Sequence, residues 1–93
     1  FKISDLTEAD ALERELVLFK VLATPERRHE IIEIANVFRA KVVDVGKHTL
    51  TVEATGAPSK LDAMEDLFRG YGIRQLTRTG KIAMSRGAHD HDL

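Results

Sequence analysis

Ninety-three residues suffice for one domain with a single core, and 43% hydrophobic with 31% charged residues is an ordinary globular balance. Lys and Arg total 14 against 15 Asp and Glu, a formal net charge of -1, so the basic footprint that nucleic acid demands is missing. Cysteine is absent, which excludes disulfides, thiolate metal sites and cysteine nucleophiles and fits a reducing cytoplasm.

The chain starts at Phe1, in the middle of what reads as a linker, as a piece of a longer protein would. The opening FKISDLTEADALE is polar, acidic and without a settled period. Residues 1–12 therefore read as a connector, with one helical turn around Glu8–Leu12, and the folded domain is expected over residues 13–87. Next, RELVLFKVL (Arg14–Leu22) is rich in apolar and β-branched residues and is closed by Thr24 and Pro25, which predicts a strand. Val17, Phe19 and Val21 make one wholly apolar face. On the other face Leu16 and Leu18 are bracketed by Arg14 and Lys20, an apolar centre with a charged rim.

In TPERRHEIIEIANVFRA, Thr24 is placed as the N-cap and Pro25 at the first helical position. Ile31, Ile34, Ala35 and Phe38 follow at i, i+3, i+4 and i+7, one face of a helix, with Arg39 and Lys41 near its negative end. KVVDV and LTVEAT predict a hairpin, because Leu50, Val52 and Ala54 alternate with Thr51, Glu53 and Thr55. GAPSKLDAMEDLFRGYG predicts a second helix with Pro58 near its start. Its stripe is Leu61, Met64, Leu67, Phe68 and Tyr71, and Gly72 is its stop. IRQLTR gives a fourth strand. The order is β-α-β-β-α-β, which implies a ferredoxin-like α+β sandwich (ACT-like): a four-stranded antiparallel sheet with both helices on one face. The other face is left open, with Leu16, Leu18 and Lys20 on a central strand. Dimerisation through the sheet face is the simplest way to bury them.

No catalytic constellation can be assembled. His29 and His48 have no partner at ligand spacing, and the terminal HDHD containing His89 and His91 reads as a disordered tail over residues 88–93. Glu65 and Arg69 have helix-surface spacing and read as an exposed ion pair. No catalytic, cofactor-binding or metal-binding residue is therefore expected. No apolar run approaches the roughly 20 residues of a membrane span, so a membrane is not expected as partner either. The basic run TRTGKIAMSRG lacks the spacing of a phosphate-binding loop, since Ile82 follows Lys81 where Ser or Thr is required. It also lacks aromatic residues for stacking nucleobases. Ile82, Ala83 and Met84 are too apolar for a purely solvating tail.

The segments ERELVLFKV, IANVFRAKVVDV, LTVEATG, KLDAMEDLFRGYGI and RTGKIAMSRG resemble the C-terminal domain of the small, regulatory subunit of acetolactate synthase. The similarity runs from about Ile3 to Gly87, and FRAKVVDV and RTGKIAMSRG are its most specific pieces. The resemblance implies a ferredoxin-like domain that follows a valine-binding ACT domain, for which residues 1–12 would be the linker. It implies support for dimerisation and for regulation of a separate catalytic (large) subunit. That subunit is a thiamine-diphosphate enzyme with magnesium and a flavin that condenses pyruvate, in valine, leucine and isoleucine biosynthesis. No valine-binding residue maps onto this chain, and no cofactor is implied for it.

On this basis RTGKIAMSRG is expected to be an ordered closing segment. Ile82 and Met84 would pack, and Arg78, Lys81 and Arg86 would face a partner, either a second copy or the catalytic subunit. The alternative is a freestanding ACT-like sensor that binds an amino acid between the sheets of a dimer. An enzyme on the same fold is a third reading.

Overall fold

The structure, a computed structural model, describes residues 10–87. Residues 1–9 of the connector expected over residues 1–12, and the tail expected over residues 88–93 with His89 and His91, lie outside them. Two helices and five strands follow in the order β1 (Ala11–Leu22), α1 (Arg28–Val37), β2 (Lys41–Val45), β3 (Thr49–Gly56), α2 (Pro58–Arg69), β4 (Ile73–Arg78) and β5 (Ile82–Ser85). The first six elements are the βαββαβ of a ferredoxin-like fold. The sheet order is β2-β3-β1-β4, antiparallel throughout, with β5 paired to β1 off this path.

The core follows from strand parity. Val17, Phe19 and Val21 of β1 and Leu50, Val52 and Ala54 of β3 point to one face and are almost fully buried. Ile31 and Ala35 of α1 and Leu61, Met64 and Phe68 of α2 close over them. The rings of Phe19 and Phe68 meet edge to face, centroids 5.3 Å apart, so β1 and α2 share the centre of the core. Leu67, expected in the buried stripe of α2, is 48% exposed, because the three-to-four spacing from Met64 is carried on by Phe68 instead.

Several boundaries differ from the sequence expectation. β1 begins at Ala11, so Ala11 and Leu12 are strand where a connector with a helical turn was expected. The reason is a distant partner: Ala11–Arg14 pair with Ser85–Ile82, and local pattern cannot show a ladder closed by residues some seventy positions away. Helix α1 begins at Arg28, after a turn in which the Arg27 N–H donates to the Thr24 carbonyl at 3.0 Å, so Thr24 is not its cap. The start is fixed by Arg28, whose guanidinium donates to the carbonyls of Ala23, Gly46 and Lys47 and ties the end of β1 to the β2–β3 turn. Arg39 and Lys41 lie beyond the last turn of α1. Arg39 takes a left-handed φ of 56°, a strained conformation for a residue with a side chain. Helix α2 opens at Pro58 as read but ends at Arg69 with Gly70 as its C-cap, so Tyr71, expected in its stripe, lies beyond it. The chain then reverses into β4 through Gly72, whose φ of 109° favours glycine. Tyr71, beside that turn, donates to Glu30 at 2.8 Å while the Arg27 guanidinium lies 4.1 Å from its ring centre. The carboxylate partner raises the phenol above its ordinary pKa of 10.0.

Candidate association surface

The parity that buries Val17, Phe19 and Val21 turns Leu16, Leu18 and Lys20 to the opposite face, which no helix covers. Leu18 is 37% exposed and Leu16 is half-buried. Leu18 stands between Glu53 of β3 and Thr77 of β4, and Lys20 between Thr51 and Gln75. Leu18, Lys20, Thr51, Gln75 and Thr77 line one hollow of about 190 Å³. The structure thus brings together the three residues expected at a dimer interface, on one open face. Polar side chains ring two apolar ones there, with Lys20 and Glu53 supplying both signs of charge.

At the N-terminal end of β1 the face changes character. Beyond Glu15, which is paired with Gly56, β1 leaves β3 and continues as a two-stranded ribbon with β5. Its base is pinned by the Thr79 N–H, which donates to the Leu16 carbonyl at 3.0 Å, and by the Leu16 N–H, which donates to Thr79 Oγ1 at 3.1 Å. There a groove of about 610 Å³ opens between Arg14, Leu16, Thr55, Thr79, Gly80 and Ile82. Nothing lies within 4 Å of where a Gly80 side chain would stand, and its φ of 85° turns the backbone from β4 into β5.

The closing segment is ordered into a strand, as its apolar residues suggested, but its side chains are not where they were expected. Ile82 and Met84 do not pack in the domain; they are 75% and 73% exposed. Arg78 does not face outward with Lys81 and Arg86. It sits on the helix side of the sheet, donating through Nε to Glu15 at 2.6 Å and through Nη1 to Asp62 at 2.7 Å, with Glu65 at 3.5 Å. The cause is parity again: Arg78 is paired with the inward Val17, so it points the same way. Hydrogen bonds to Asp62 and Glu15 push its pKa further above the ordinary value, so it stays charged. Glu65 also holds Arg69, so the expected helix-surface pair joins a network that fastens α2 to β1 and β4. Lys81 pairs with Glu13 at 2.9 Å, and the Arg86 N–H donates to the Asp10 carbonyl at 3.1 Å. The signal that could have revealed β5 was present: Ile82 and Met84 alternate with Ala83 and Ser85 just after a glycine.

Among the described residues no group of three or more His, Asp or Glu side chains is placed to hold a metal ion, and no helix is long and apolar enough to cross a membrane. His29 is exposed on α1 and His48 is exposed in the β2–β3 turn.

Residues 14–87 match the family described as the small subunit of acetolactate synthase. A probable acetolactate synthase small subunit of Archaeoglobus fulgidus is 51% identical over 86 residues, covering 92% of this chain and 54% of the relative. The acetolactate synthase small subunit of Aquifex aeolicus is 48% identical over 86 residues, 91% of this chain and 45% of the relative. Among solved structures, the crystal structure of the acetolactate synthase small subunit from Thermotoga maritima superposes with a TM-score of 0.80 at 35% identity, covering 88% of this chain and 50% of that one. The chain thus spans about half the length of the relatives it matches. A βαββαβ sheet open on one face and a match that runs from β1 through β5 lead to one conclusion: this chain belongs to the acetolactate synthase small-subunit family.

Proposed function

We propose that this domain has no chemistry of its own and works by association. Its open sheet face makes a homodimer through Leu16, Leu18 and Lys20. The assembled small subunit then supports feedback regulation and activation of the acetolactate synthase catalytic subunit in branched-chain amino acid biosynthesis. The observation that carries the reading is the exposed apolar centre of the sheet: Leu18 lies open to water on the middle of a five-stranded sheet, in a chain whose relatives are named as small subunits of that enzyme. A face of this kind is stable in water only as a small patch, and its natural use is to be covered. Regulation by such a module is a coupling free energy, typically about 1–3 kcal/mol, passed to a partner whose conformational equilibrium it shifts.

The test has two parts. Titrated into a matching catalytic subunit, the full chain is expected to change the rate of acetolactate formation saturably. Its own melting temperature is expected to be indifferent to valine, leucine and isoleucine. A melting temperature that climbs with one of these amino acids, with no response from the catalytic subunit, would favour a freestanding sensor and sink the association reading.

A further inference from the structure

The β1–β5 ribbon is an unfinished structure. Every residue of β5 is exposed, and Leu12, its ladder neighbour on β1, is 40% exposed. The ribbon's two sides differ: Ala11 is 1% exposed, so one side is covered, while the side that carries Leu12 is bare, and a two-stranded ribbon with a bare apolar side is marginal in water. Its apolar side chains also lie on a definite side. Leu12 has the same parity as Leu16 and Leu18, Met84 stands directly opposite Leu12, and Ile82 stands opposite Arg14. Leu12, Met84 and Ile82 therefore extend the open face of the sheet. The ribbon's three side chains, exposed by 40%, 73% and 75%, carry more uncovered apolar surface than Leu18 and the half-buried Leu16. Two leucines fall short of the roughly 800 Å² per partner that a specific interface buries, so a dimer through the sheet centre needs more surface than they supply.

We propose that the ribbon is a dimer arm that lies across a second copy of this chain, seating Leu12 and Met84 over that copy's Leu18 and Thr77. The inference rests on the homodimer reading above and names how the interface is completed. Residue spacing carries it. Leu12 and Leu18 are six positions apart on one strand, about 20 Å. A two-fold axis in the plane of the interface, crossing β1 beside Glu15, exchanges their levels. It places the Leu12–Met84 pair of each copy over the Leu18–Thr77 pair of the other, where the 190 Å³ hollow lies. The same operation brings Ile82 to the level of the second copy's Leu16, at the larger groove. Projections thus meet hollows, all from one surface used twice, as an isologous contact requires.

Because the chain contains no cysteine, introduced thiols report proximity without background. Thr77 and Met84 are both exposed, so Thr77→Cys and Met84→Cys leave the core untouched, which circular dichroism checks. Under mild oxidation, an equimolar mixture of the two variants is expected to yield a disulfide-linked dimer. Neither variant alone should do so, since each site is about 20 Å along the strand from its own symmetry mate. If the wild type sediments as a dimer and the mixture gives no cross-link, the arm is wrong while the sheet dimer stands. A wild type that stays monomeric overturns both.

Discussion

Arg78 holds carboxylates from two elements: Glu15 on β1, and Asp62 and Glu65 on α2. The three are not equivalent. Asp62 is 65% exposed, so its pair with Arg78 contributes little. Glu15 is 8% exposed and depends on the guanidinium for its neutralisation. Arg78→Ala is therefore expected to destabilise the domain by about 2–3 kcal/mol, because it strands a buried carboxylate. In a domain of this size that lowers the melting temperature by roughly 10–20 °C. The double variant with Glu15→Gln should recover part of the loss, as the stranded charge is gone. Thermal melts of the two decide the matter, and an unchanged melting temperature for Arg78→Ala would return the residue to the solvated surface. The sequence shows Arg78 as one cation among three in a basic run; its role depends on a parity fixed by pairing with Val17, which residue type alone does not reveal.

At the scale of elements, amphipathic pattern was legible wherever one face is buried. The helix stripes through Ile31 and Ala35 and through Leu61, Met64 and Phe68, and the alternation of β3, are read directly from apolar spacing. The ribbon was harder to read, because β5 has no buried face to impose a period and its only signal is the alternation of Ile82 and Met84 with Ala83 and Ser85. The same fact sets its energetics. Ile82→Ser with Met84→Ser removes side chains that are already three-quarters exposed, so in a dilute, monomeric sample the melting temperature should shift by no more than a degree or two. Association should suffer instead, with dimer dissociation at least tenfold easier, as read by sedimentation equilibrium. A large loss of stability in the monomer would mean that these residues pack within their own chain.

For the whole molecule, the βαββαβ order and the uncovered face followed from the sequence because crossover connections leave few topologies. The open face in turn located Leu16, Leu18 and Lys20 before any contact was known. One chain's pattern shows that face uncovered and does not name its occupant. The most direct test is sedimentation equilibrium of the full chain, wild type beside Leu18→Asp. Leu18 is 37% exposed in the single copy, so the aspartate is tolerated there, whereas in a sheet-to-sheet contact it is an unpaired buried charge. The expected result is a dimeric mass for the wild type and a monomeric mass for Leu18→Asp, with matching circular dichroism spectra. A wild type that remains monomeric at high concentration, or a Leu18→Asp variant that dimerises as well as its parent, would contradict association through this face.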